Sequence, residues 1–136
     1  MARRILFVED EYHFRYRFFG ERLEERGYEV VVATNASDAL EKFEALDFAV
    51  IVVDIMIPPG DNKAFEGHDL AGIVLLQILR PRLAEKPNPP GIIVLTAYPS
   101  VLRDVELNMS FVEMEKPVLP GDFLVEVERL TTGRND

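Results

Sequence analysis

Three consecutive acids, Glu9, Asp10 and Glu11, follow the apolar run "ILFV" in a chain of 136 residues. Other polar residues stand directly behind other apolar runs: Asp54 behind "AVIVV", Thr96 behind "IIVL", and Lys116 with Pro117 behind "FVEME". Two carboxylates about 4 Å apart repel by roughly 4 kcal/mol at an effective dielectric of 20, so the acids call for a cation. The set suits phosphoryl transfer to a carboxylate. Mg²⁺ prefers one or two carboxylates together with water and phosphate oxygens, which Asp10 and Asp54 can supply, with Glu9 close enough to hold a coordinated water. Asp54 is then the nucleophile, and charge on the transferring oxygens is met by the metal, the Lys116 amine and the Thr96 hydroxyl. Each residue also has an ordinary use. Asp54 suits an exposed strand end, Thr96 a helix cap, Lys116 a solvated site before a turn, and the acids the N-terminus of a following helix.

What brings the set together is the order of elements. Short Val- and Ile-rich runs, Ile5 to Val8, Glu29 to Ala33, Ala49 to Val53, Ile92 to Leu95 and Phe111 to Glu115, alternate with helix-like stretches. The third and fourth runs are apolar throughout, the mark of central strands covered on both faces. In "EYHFRYRFFGERLEERG" the residues Phe14, Phe18 and Leu23 recur near helical spacing, with Gly27 as a stop. The next helix places Ala39, Leu40, Phe43 and Leu46 on one face, with Asn35 or Ser37 as its cap. "HDLAGIVLLQILR" is expected to end at Pro81, "PSVLRDVEL" is a short, weak helix, and "PGDFLVEVERL" starts on Pro120. Five strands alternating with five helices predict an α/β fold, a doubly wound and mostly parallel sheet with helices on both faces. Ligands of such sheets bind outside the carboxyl ends of the strands, where Glu9, Asp10, Asp54, Thr96 and Lys116 all fall.

Composition narrows the classes. The length predicts one domain over residues 1–136, with irregular stretches at "PPGDNKAFEGH" (about 58–68) and "PRLAEKPNPPG", and a frayed tail at about 131–136. A formal net charge of -9 argues against a domain that grips nucleic acid or an anionic membrane by its overall field. With no cysteine there is no disulfide framework, thiolate zinc site or cysteine nucleophile. Only four consecutive apolar residues, Ile5 to Val8, precede the acids, too few for a signal-peptide core, and no apolar run approaches the ~20 residues of a membrane span. The chain reads as soluble and cytoplasmic. His13 and His68 read as incidental, since neither sits in the long helical bundle that a phosphotransfer histidine needs.

"ILFVEDE", "VVDIMIPPG", "IIVLTA" and "EKP" together resemble the acidic pair, phosphoacceptor aspartate, threonine switch and lysine-proline of a response-regulator receiver domain of the chemotaxis-regulator type, from two-component signalling. The resemblance covers nearly the whole chain and implies a flavodoxin-like strand order 2-1-3-4-5. It implies that Asp54 is phosphorylated by a sensor histidine kinase or phosphotransfer protein, the domain catalysing its own phosphorylation and dephosphorylation. Asp10, Asp54 and the backbone carbonyl of Met56 would bind Mg²⁺, with Glu9 acting through water. Thr96 would swing toward the phosphoryl group, Lys116 would contact it, and Pro117 fits the commonly cis peptide that aims the lysine. The output would be changed contacts with a downstream protein. The family also includes dimers, so a homodimer stays open, as does a place in a longer chain.

Two departures stand out. The segment from Asp54 to Thr96 is about a dozen residues longer than is usual in that family, and the surplus suits either a partner surface or lid, or a tolerated insertion. Three residues before Lys116, where the family carries a switching aromatic ring, stands Glu113, and Phe111 is not an obvious substitute. Met56 and Tyr98, two residues past Asp54 and Thr96, occupy positions that in the family tune the access of water, and their bulk implies slow self-dephosphorylation. Three alternatives compete. A degenerate receiver would act through protein contacts without phosphorylation. A phosphatase of the haloacid-dehalogenase type needs a second acid where Met56 stands, and a flavodoxin-type flavin site needs hydroxyls and amides where this chain has three acids.

Overall fold

Val50–Asp54 reads VIVVD and is buried along its whole length, which a strand achieves only with helices over both faces. The computed structural model describes residues 3–132. In it β1 (Arg3–Val8), β2 (Tyr28–Ala33), β3 (Val50–Asp54), β4 (Gly91–Thr96) and β5 (Val112–Glu115) form one parallel sheet in the order β2-β1-β3-β4-β5. Strand alternation sorts the core into two layers. Ile5, Phe7, Val50, Val52, Ile93 and Leu95 face α1 (Arg17–Glu25) and α5 (Pro120–Thr131). Leu6, Val8, Ile51, Val53, Ile92 and Val94 face α2 (Ala36–Ala45), α3 (Ala71–Ala84) and α4 (Pro99–Arg103). The α/β class, the strand order and the placing of helices on both faces agree with expectation. Among the described residues no helix is long and apolar enough to cross a membrane.

Two helices differ from the sequence reading. Phe14 and Phe18 do not face the core: they are 90% and 47% exposed, and the buried side consists of Tyr12, Tyr16, Phe19, Gly20 and Leu23. The chain enters α1 through a π-helical turn, Tyr12–Tyr16, whose wider winding rotates the face presented to the sheet. Gly20 makes room for the inward ring, because a Cβ there would lie 1.7 Å from the Tyr12 hydroxyl. The second difference is α3, which does not stop at Pro81 but continues to Ala84. An interior proline removes one backbone hydrogen bond and costs about 3 kcal/mol. Here Pro81 and Gln77, whose carbonyl loses its donor, both lie on the exposed side. Leu83 beyond them is buried, and Arg82 pairs with Glu44 of α2.

The 58–68 segment is fastened to the start of α2. Asn35 caps that helix, its side chain accepting from the Asp38 N–H at 2.8 Å. Ser37 instead ties down the loop: its hydroxyl donates to the Pro59 carbonyl at 2.6 Å and accepts from the Asn62 N–H at 2.9 Å. The Ala36 N–H donates to the Pro58 carbonyl at 2.9 Å. Gly60, at φ +80, passes so close that a Cβ would sit 2.5 Å from the Asn35 side-chain oxygen. A short 3-10 turn, Lys63–Phe65, then buries Phe65 completely. At the far end Thr131, expected in a frayed tail, closes α5 as a buried residue bonded to the Tyr28 hydroxyl at 2.9 Å. Thr132 follows it as an exposed residue, and positions 133–136 of that expected tail lie outside the described residues.

Gly72 sets how closely α3 approaches the end of β3. A Cβ at this position would lie 2.2 Å from the Asp54 carbonyl oxygen and 2.6 Å from the Ile55 Cα, and the Gly72 N–H donates to the Ile55 carbonyl at 3.1 Å. Backbone cannot give way as a flexible side chain can, so Gly72→Ala is expected to destabilise by about 3 kcal/mol, the upper end of overpacking costs. Urea unfolding checks this, and an unchanged midpoint would mean that α3 is free to move outward.

Candidate functional site

Three strand ends and the turns that follow them build the site. β1 ends at Val8, and the Glu9 N–H still donates to the Ala33 carbonyl at 3.0 Å, so Glu9 remains in the sheet and is fully buried. Asp54 closes β3, the middle strand, paired in register with Leu95 and buried. The Lys116 N–H donates to the Thr96 carbonyl at 2.8 Å, which extends the β4–β5 ladder by one residue and brings the lysine over the sheet edge. The Lys116–Pro117 peptide is cis.

Each buried acid divides its oxygens in the same way. Glu9 Oε1 accepts from the Glu11 N–H at 3.1 Å, and Asp54 Oδ1 from the Met56 N–H at 3.0 Å. The second oxygens, Glu9 Oε2 and Asp54 Oδ2, both accept from Lys116 Nζ, at 2.8 Å and 2.7 Å. Asp10 is exposed, but one of its oxygens lies within 4.8 Å of oxygens of Glu9 and Asp54. Thr96 is buried, with its hydroxyl accepting from the Tyr98 N–H at 2.9 Å rather than touching a carboxylate. The structure thus joins Glu9, Asp54 and Lys116 directly, sets Asp10 beside them, and links Thr96 through the backbone of Lys116. The Met56 side chain is exposed. His13 and His68 are exposed. Glu113 is exposed on β5, while Phe111 packs against the layer of α2 to α4.

One neighbour escaped the sequence reading. Lys116 Nζ lies over the Tyr16 ring, 5.3 Å from its centroid. The signal was present, since Tyr12, Tyr16, Phe19 and Leu23 fall at helical intervals, but the more apolar Phe14 and Phe18 outweighed the tyrosines.

One ammonium among three carboxylates leaves the site short of positive charge. Burial pushes Glu9 up from 4.5 to about 8; the hydrogen bond from Lys116 opposes the rise and the charge of Asp54 adds to it. Burial alone would lower the Lys116 ammonium, but its hydrogen bonds to Asp54 and Glu9, with their charges, outweigh that and raise it. Clustered carboxylate oxygens with a surplus of negative charge fit a hard divalent cation of the Mg²⁺ kind.

The Glu9 shift has a definite sign. Folded Glu9 keeps its proton up to about pH 8, whereas in the unfolded chain it releases it near 4.5. Between these values the folded state binds more protons, so its stability falls as pH rises, by roughly 1.4 kcal/mol per pH unit at most. Glu9→Gln cannot titrate. In metal-free buffer the stability of the parent relative to this variant should therefore decline between about pH 5 and pH 8, as read from urea midpoints. A difference independent of pH would show that Glu9 is already ionised at the lower value.

No protein-family model matches the chain, and no curated protein sequence does. Solved structures do. The Francisella response regulator 1452 receiver domain is 26% identical at a TM-score of 0.73, covering 96% of this chain and 97% of that one. A CheY-like response regulator receiver domain protein from Methanospirillum hungatei JF-1 has the same identity and TM-score, with coverages of 96% and 94%. The response regulator protein TrrA from Thermotoga maritima, solved in complex with Mg(2+)-BeF, is 27% identical at a TM-score of 0.73, with coverages of 95% and 99%. With the strand order 2-1-3-4-5 and the acidic cluster at the carboxyl edge of its sheet, the chain has the CheY-like fold of response-regulator receiver domains, which it resembles over nearly its whole length.

Proposed function

We propose that residues 1–136 act as one phosphorylation-dependent switch, with Asp54 as the acceptor. The observation that carries this is the sharing of Lys116 Nζ between Glu9 and Asp54, at 2.8 Å and 2.7 Å, beside Asp10. A buried carboxylate next to an ammonium at a ligand-binding sheet edge is placed to attack phosphorus. In that step an Asp54 oxygen forms the new bond to phosphorus. The bond from phosphorus to its donor, a histidine nitrogen of a kinase or phosphotransfer protein or the acyl oxygen of acetyl phosphate, breaks, and that donor atom leaves with the electron pair. Lys116 meets the charge on the phosphoryl oxygens, and Thr96 does so once its hydroxyl exchanges the Tyr98 N–H for a phosphoryl oxygen. Asp10, Asp54 and the Met56 carbonyl would hold Mg²⁺, with Glu9 reaching it through water. When bound, the metal would neutralise the clustered carboxylates and the incoming phosphoryl oxygens. The output is a changed affinity for a downstream protein. A homodimer and a cytoplasmic location accord with this role.

A second reading, a receiver that works through protein contacts without phosphorylation, is favoured by one observation: the aromatic position of the family is filled by exposed Glu113. The aspartate-nucleophile phosphatase has less support, because the residue two past Asp54 is Met56, which has no proton to give.

Intact-mass measurement after incubation with acetyl phosphate and Mg²⁺ separates the first two. The expected result is one phosphoryl adduct on the parent, none on Asp54→Asn, and none in the presence of EDTA. Absence of an adduct together with absence of Mg²⁺ binding would favour the contact-only receiver. Met56 and Tyr98 are exposed beside Asp54 and Thr96, where bulk hinders attacking water. Replacing both by alanine should shorten the life of the adduct severalfold, followed by the decay of its mass, and an unchanged decay would remove their shielding role.

A further inference from the structure

Lys116 has a neighbour that the chemistry above leaves unused. Tyr16 ends the π-helical turn that opens α1, and its ring lies beneath the Lys116 ammonium at 5.3 Å, inside the range where a ring face attracts a cation. The ring is buried and held from two sides, its centroid 5.8 Å from that of Phe7 and 5.2 Å from that of Phe19. Both of those rings pack in turn on Phe123 of α5. Tyr16 therefore cannot swing away without opening the layer between β1, α1 and α5. The π-helical turn is what delivers it, a kind of distortion often found at functional sites. The ammonium also contacts Glu9 and Asp54, and the Tyr16 hydroxyl shares in its hydrogen bonding. Once Asp54 carries a phosphoryl group its oxygen no longer faces Lys116 on the same terms. Of the contacts described for the ammonium, the Tyr16 ring is the one whose chemistry does not change.

We propose that Tyr16 is a positioning residue for Lys116, its ring face holding the ammonium at the phosphoryl site from the α1 side of the sheet. The catalytic part of this proposal rests on the reading of Asp54 as phosphoacceptor; the positioning part does not. An aromatic ring would thus touch the lysine from the face opposite to Glu113, where this chain lacks one.

The test compares Tyr16→Phe, which keeps the ring, with Tyr16→Leu, which keeps apolar bulk without it. Two readouts are taken: the ring-current shift of the Lys116 ε-methylene resonance in the metal-free protein, and the rate of adduct formation with acetyl phosphate and Mg²⁺. The Phe variant should keep the upfield shift and a rate within about twofold of the parent. The Leu variant should lose the shift and react about tenfold more slowly, between the scale of an exposed and of a fully desolvated cation–π contact. If Leu fails to fold by circular dichroism, Tyr16→Met takes its place, since methionine fills irregular space. A Leu or Met variant with the parental shift and rate overturns the proposal, as does a Phe variant impaired as much as Leu, which would assign the effect to the hydroxyl. If the parent itself takes no phosphoryl group, the acceptor reading fails, and the Lys116 resonance alone decides whether Tyr16 positions it.

Discussion

A single ammonium answers two buried carboxylates. Glu9 and Asp54 each give one oxygen to a local backbone N–H and one to Lys116, so every oxygen of the pair has a partner before any ligand arrives. Among the described residues no buried side-chain nitrogen or oxygen is left without one. The arrangement is satisfied in hydrogen bonds but not in charge, and burial, reinforced by the charge of Asp54, drives Glu9 to about 8. A pocket with complete hydrogen bonding and incomplete neutralisation is rigid yet receptive to a cation. Opposed carboxylates without the lysine would have to protonate or separate.

The sheet makes this sharing feasible. Parallel strands end on one edge, so residues far apart in sequence meet there without any loop crossing the core. Glu9 and Lys116 are separated by 107 positions and Asp54 and Lys116 by 62. Their approach depends on backbone continuity rather than on side-chain reach: Glu9 is still bonded to Ala33, and Lys116 to Thr96. Gly72 contributes by letting α3 lie against the Asp54–Ile55 backbone. The acid is thus held by packing from below and by the lysine from above.

Legibility in the sequence followed the physics of each element. β3 and β4 could be read because a strand covered on both faces must be apolar throughout, and the meeting of Glu9, Asp54 and Lys116 could be read because strand ends converge whatever the loops do. The inward face of α1 could not. Its π-helical turn breaks the 3.6-residue period locally, and tyrosine's polar tip hides a ring that packs as well as phenylalanine's. The continuation of α3 past Pro81 was hidden for another reason: burial of Leu83 and the Arg82–Glu44 pair are tertiary effects that override a local breaker. The fastening of the 58–68 segment was half visible. Asn35 and Ser37 both looked like caps, but only the fold shows that Asn35 caps while Ser37 holds the loop.

The two faces of the sheet support the site unequally. On the α1 and α5 side, Phe7, Tyr16, Phe19 and Phe123 form a continuous aromatic cluster that reaches the lysine. On the other side β5 presents Glu113 and Glu115 to solvent, α4 is a single helix of five residues, and Asn108 adopts a left-handed φ of 53. The α4 segment is nonetheless anchored, with Leu102 and Leu107 buried and Val101, Val105, Met109 and Phe111 packed on the same layer. The aromatic cluster thus steadies the lysine from the α1 and α5 side, while on the opposite face the close approach of α3 at Gly72 braces the Asp54–Ile55 backbone.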